Sequence, residues 1–165
     1  MYISQDPIRL SGGGANFYSY VKNCNTWVDI FGLSGKPKHS PSEAKWLNKG
    51  GIIDKSKGDN NWTYTDWEGN TVAYTDGYPD FKNGTDANGN KTFVIQEVDI
   101  PDMEGDHYND YKAAESQPNS KPKSDNTTWH HHQNLKTMQE VDYEIYKRFP
   151  HQGGVSKLKK KKNSH

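Results

Sequence analysis

The segment TTWHHHQNLKTMQEVDYEIYKRFPHQGG, residues 127–154, constrains the fold more than any other part of the chain. Thr127 to His131 reads as a strand, Gln133 to Lys136 as a tight connection and Thr137 to Val141 as a return strand. Asp142 is placed to cap a helix running to Phe149, with Ile145 and Phe149 four apart on one face. Strand, hairpin, strand and helix in so short a span put histidines at the end of the first strand and just past the helix. Four of the seven histidines, His130, His131, His132 and His151, lie here, and the frame is suited to caging one metal ion. The single cysteine, Cys24, excludes an internal disulfide and a thiolate zinc site, so any metal must be held by histidine and carboxylate.

The rest of the chain supplies a small, aromatic core. Hydrophobic residues make up 30% and aromatics 12%, with a mean hydropathy of −1.14. WTYTDWEGNTVAYT alternates about Glu68-Gly69-Asn70 as a hairpin does, with Trp62, Tyr64, Val72 and Tyr74 sharing faces. Ser40-Pro41-Ser42-Glu43 predicts a capping box opening a short helix through Trp46 and Leu47, stopped near Gly50-Gly51. NGTDANGNK is turn chemistry, and TFVIQEVDI a strand ended by Pro101. Asp106 predicts a second helix carrying Tyr108, Tyr111 and Ala114, ended by Pro118, and Trp129 is expected to anchor the later hairpin in the core. The fold class is therefore α+β. No run approaches the length of a membrane span, and MYISQDPIRL lacks the apolar stretch of a secretion signal.

The formal net charge of zero hides a polarity. Residues 155–165 hold five lysines and no acid, leaving 16 basic against 21 acidic residues in the first 154, a net of −5. A cation on imidazoles, beside a second imidazole with pKa near ~6.5 that takes a proton from water, is the apparatus of phosphodiester hydrolysis. Lys157, Lys159 and Lys160 would then neutralise phosphates, the alternative being a solubilising end. DNA is the expected substrate, although the residues leave RNA open. A second reading is a non-catalytic, metal-stabilised module that binds nucleic acid or a partner without turnover.

Residues 127–154 resemble the WHH family of the HNH/endonuclease VII superfamily, nuclease toxins with a ββα-metal (His-Me finger) core. The likeness is carried by Trp129-His130-His131-His132, Met138-Gln139 and His151 before Gly153-Gly154, with echoes in Gly77-Tyr78-Pro79-Asp80-Phe81 and Asp110-Tyr111-Lys112-Ala113-Ala114. The resemblance implies that His130 and His151 ligate one divalent ion (Mg, Zn, Ni or Mn) and that His131, beside His130, is the catalytic base. Family members carry another helix histidine where Tyr146 stands, so Tyr146, His132 or a carboxylate such as Asp110 or Asp142 is left to complete the site. Residues 1–33 resemble the end of an Rhs repeat-associated core, the shell preceding C-terminal toxins. There Asp6 and Asp29 stand where the shell's self-cleaving aspartates do, Arg9 and Ile30 replace the motif's glycine and proline, and the expected cut follows Leu33. The implied organisation is an Rhs tip at 1–33, a linker and short helix at 34–61, the nuclease at 62–154 and a basic tail at 155–165. The resemblance also implies a cognate immunity protein, and a delivered effector acting in the target-cell cytoplasm while remaining cytoplasmic in the producer.

Overall fold

The computed structural model describes residues 35–162, so the expectations on Asp6, Asp29 and the cut after Leu33 lie outside the described residues. The described residues form one unit. Helix α1 (Glu43–Asn48) and strand β1 (Ile52–Asp54) lead into β2 (Asn61–Thr65), β3 (Thr71–Thr75) and β4 (Tyr78–Thr85), an antiparallel sheet in the order β1-β2-β3-β4. Trp62 faces Tyr74 and Tyr64 faces Val72 across β2 and β3, and all four are buried, as the alternation predicts. The segment expected as linker and short helix thus also contributes a strand. The capping box expected at residues 40–43 does not form: the N-cap is Ser42, whose side chain makes no cap bond, and the Ser40 hydroxyl donates to the Pro37 carbonyl (2.8 Å) and lies 3.0 Å from the Tyr64 hydroxyl.

A second antiparallel sheet has the order β5-β7-β6, from β5 (Val94–Asp99), β6 (Thr127–His131) and β7 (Thr137–Asp142). Helix α2 (His107–Glu115) lies between β5 and β6 in sequence, and α3 (Tyr143–Arg148) follows β7 directly. The Asp106 and Asp142 side chains cap α2 and α3 by accepting from the backbone N–H of Asn109 and Ile145. The buried stripe of α2 runs through Asp110 and Ala114, whereas Tyr108 is turned out, with the Lys112 ammonium 4.3 Å over its ring.

Two cores result. The first joins Trp46, Trp62, Tyr64, Tyr74, Phe81 and Phe93 to Val141, Ile145 and Phe149. The second joins Val98, Ile100, Met103, Ala114, Trp129 and Met138 to Leu158. Leu158 belongs to α4 (Gly154–Lys162), so the stretch read as a basic tail is a helix seated on the second core. Among the described residues no helix is long and apolar enough to cross a membrane.

Candidate active site

Strand β6 is the edge of its sheet, and successive side chains of a strand leave on opposite faces. The neighbours His130 and His131 therefore enter different surroundings. His130, 1% exposed, packs edge-on against Phe81 of β4 (5.2 Å between centroids) and lies 4.8 Å from the His151 ring. Its Nδ1 is 3.2 Å from His151 Nε2, and His151 Nδ1 is 2.8 Å from the Phe149 carbonyl. A carbonyl can only accept, so His151 carries its proton on Nδ1 and turns the Nε2 lone pair toward His130. Burial, helped by the imidazoles of His151, His132 and His131, holds His130 well below the ordinary histidine range. Burial lowers His151 as well, against the opposing bond to Phe149. Both rings are neutral at pH 7, the form that ligates metal.

The chain reaches this position through local constraints. Phe149 is locked in the first core, and the Pro150 carbonyl accepts from the Tyr74 hydroxyl at 3.1 Å. Beyond His151 the backbone runs against β6 so closely that a Cβ on Gly154 would stand 2.5 Å from the His132 carbonyl oxygen, and one on Gly153 3.2 Å from that of His131. The Gly153-Gly154 pair is what permits that approach.

Whether this donor set suits a metal depends on the third position. Tyr146 stands 5.0 Å from the His151 ring and 6.0 Å from that of His130, but burial raises its phenol further above 10.0, so it stays a neutral hydroxyl and a poor ligand. His132 does not join: it lines a cleft with Glu97 and Asp99, and its Nδ1 accepts from Asn134 N at 3.3 Å. Asp142 caps α3. Among the described residues no three His, Cys, Asp or Glu are placed to share a metal. The donor set is two imidazole nitrogens, His130 Nδ1 and His151 Nε2, facing each other at 3.2 Å, and His130 Nε2, buried with no hydrogen-bond partner, marks the ring as incompletely used.

On the other face, His131 Nε2 lies 3.0 Å from Asp110 Oδ2, with the two side chains 3% and 1% exposed. Asp110 also accepts from the backbone N–H of Glu104 (2.9 Å) and Gly105 (2.8 Å). A carboxylate accepts only, so His131 carries its proton on Nε2 and leaves Nδ1 as the basic nitrogen. Burial pulls the ring below its ordinary range and the Asp110 bond resists that pull. The result is a neutral imidazole of set tautomer, the arrangement of an oriented base. The exposed His107 has its ring 5.1 Å from His131.

Asp110 was read as a possible metal ligand, and its partnership with His131 was missed. Its sequence signal is an acid in the buried i, i+4 stripe with Ala114. Asn134 was also missed. Its Oδ1 accepts from Lys136 N and Thr137 N and its Nδ2 donates to Thr137 Oγ1, tying the β6–β7 turn. Of the expected phosphate-binding lysines, Lys157 reaches the Gln133 carbonyl (3.1 Å), while Lys159 and Lys160 are exposed on α4.

No curated protein matches the sequence. The family described as the DNase/tRNase domain of colicin-like bacteriocin matches residues 71–153, half of the chain, a stretch that takes in Phe81, Asp110, His130, His131, Tyr146 and His151. The histidine-bearing strand β6 thus lies within a nuclease toxin domain, and the chain belongs to this family.

Proposed function

We propose that the chain is a divalent-metal-assisted endonuclease toxin of the HNH, WHH-like kind, cutting DNA. The single observation that carries this reading is the divided use of two consecutive histidines within the family match: His130 faces His151, and His131 faces the buried Asp110. Because both stand at the end of an edge strand, a phosphate lying past that edge meets both faces of the sheet. His130 and His151 would hold the cation, which, when bound, would supply Lewis-acid stabilisation of the charge on the phosphate and the leaving oxygen. His131 Nδ1 takes a proton from water as the water oxygen bonds to phosphorus. The bond from phosphorus to the leaving oxygen then breaks, and Asp110 keeps the imidazolium in place. The exposed His107 moves aside to admit the substrate, and the lysines of α4 neutralise neighbouring phosphates.

The likeness of residues 1–33 to an Rhs tip supports delivery as a C-terminal effector into the target cytoplasm, with a cognate immunity protein protecting the producer. Tyr146 in a ligand position favours the second reading, a metal-stabilised module that binds without turnover. Plasmid nicking by the purified chain separates the two. The nuclease reading expects nicking that EDTA abolishes and added Mg, Mn, Ni or Zn restores, whereas intact plasmid under every metal supports the second. Full activity in His131→Ala removes the base assignment.

A further inference from the structure

Two clefts lie near the candidate site, one lined by His132 and the other by Pro150, and they differ in their charged groups. One, of about 500 Å³ between β4 and the second sheet, is edged by Asp80, Glu97 and Asp99, with Lys82 paired to Glu97 and Lys136 to Asp99. The other, of about 680 Å³, is lined by Lys45, Lys49 and Arg148 with no carboxylate, and its wall includes Pro150, the residue before His151. Trp67 closes its side, 41% exposed although it is one of the largest apolar side chains of the protein. The Lys49 ammonium lies 5.0 Å and the Arg148 guanidinium carbon 5.3 Å from the centre of that ring.

The ring is held in place. It rides on the β2–β3 turn, where the buried Asp66 carboxylate accepts from the N–H groups of Glu68 (2.9 Å) and Asn70 (2.8 Å) and from Arg148 (2.9 Å). Arg148 is also paired with Glu68, so the acids behind it offset its charge and the net positive charge of the groove comes from Lys45 and Lys49. An indole on a fixed turn, with the flexible Lys49 ammonium over its face as the group a base displaces and Lys45 in the same groove, suits an unstacked nucleobase carrying its phosphate, since base faces are available only on an unpaired strand and every base has one. A duplex would offer the indole only its backbone.

We propose that this groove is a subsite for an unpaired nucleic-acid strand: a base stacks on Trp67, and Lys45 and Lys49 take the flanking phosphates. It rests on the nuclease reading for its place beside His151, and makes Trp67 a determinant of preference for single-stranded or locally opened substrate.

The test uses the full chain silenced by His131→Ala, so that binding is measured apart from cleavage, with fluorescein-labelled dT12 and a duplex of equal length as probes. Expected are quenching of tryptophan emission by dT12, and a Kd for dT12 raised about 5- to 150-fold in Trp67→Leu and recovered in Trp67→Tyr. In Lys45→Gln/Lys49→Gln the slope of log K against log salt falls by about 1.4. Because Trp67 also packs 5.8 Å from Trp46, each variant is first matched to the parent by thermal unfolding. Equal dT12 affinity in folded Trp67→Leu, or the same Trp67 dependence for the duplex, overturns the proposal. If the active chain cuts nothing while dT12 still depends on Trp67, the nuclease reading fails and the subsite stands.

Discussion

Replacing Asp110 by asparagine changes one atom and sets the backbone and the active site against each other. In the parent, Oδ1 accepts from Glu104 N–H, and Oδ2 accepts from Gly105 N–H and lies 3.0 Å from His131 Nε2. An amide offers one oxygen and one NH2. With its oxygen toward Glu104, the NH2 faces two donors: Gly105 N–H is stranded, and His131 can relieve the clash only by moving its proton to Nδ1, which removes the base. With the oxygen turned the other way the tautomer survives, but Glu104 N–H is stranded. Either way one buried donor goes unpaired, at about 1–3 kcal/mol, and the remaining bonds lose their charge assistance, so about 2–4 kcal/mol of stability is lost. In the first orientation, which keeps the Glu104 bond and takes the proton onto His131 Nδ1, the turnover rate falls by about 10²- to 10⁴-fold, the range of a lost general base, while KM for the nucleic acid holds. Urea unfolding gives the first quantity, and single-turnover cleavage of a labelled oligonucleotide the second. Nitrogen-15 spectra of the His131 ring report its tautomer directly, and in a cycle with His131→Ala the Asp110 effect on rate should vanish. A folded Asp110→Asn protein whose His131 ring carries its proton on Nδ1 and that still cuts within threefold of the parent rate refutes the orientation argument.

Three further outcomes follow from the same geometry. Glu140 is fully buried, and burial alone would raise its carboxyl; hydrogen bonds from Thr127 (2.5 Å), Gln96 (2.7 Å) and Ser124 N–H (2.7 Å) outweigh that and hold it below 4.5. A lowered folded pKa contributes stability above the unfolded value that is lost as pH falls through the folded one, so Glu140→Gln should be less stable at pH 7 by about 2–4 kcal/mol and show a flatter acid limb in unfolding measured from pH 7 to pH 2. Phe149→Ala opens the first core beneath His151 and should cost about 3–5 kcal/mol by urea denaturation, with weaker metal binding as a consequence. Tyr146→His supplies a third imidazole beside His130 and His151 and should tighten Zn or Ni binding by at least about tenfold in calorimetry, while His151→Ala loosens it by a similar factor.

What local pattern dictates, the sequence made readable, and what distant packing dictates, it hid. The two-residue strand period and the acid caps place β6, β7 and α3 within a residue of their observed bounds, because Thr127, Asp142 and the Ile145/Phe149 spacing carry that information locally. The same period already sends His130 and His131 to opposite faces. The covering element, however, is set by contacts far along the chain, 21 residues from Asp110 to His131, and no spacing rule reports those. The lysine-rich end shows the converse. A nine-residue helix of mostly charged residues is marginal alone, so composition argues for a tail, and only Leu158, buried with Trp129 and Met138 in the second core, turns it into α4. That docking changes the electrostatic problem. Lysines on a free end can seek phosphate anywhere, whereas Lys157, with its ammonium 3.1 Å from the Gln133 carbonyl and 5.9 Å from the centre of the Tyr78 ring, is committed to the acidic cleft. Lys159 and Lys160 stay exposed on α4, and Lys45 and Lys49, lining a groove without carboxylates, add phosphate attraction on the flank next to Pro150.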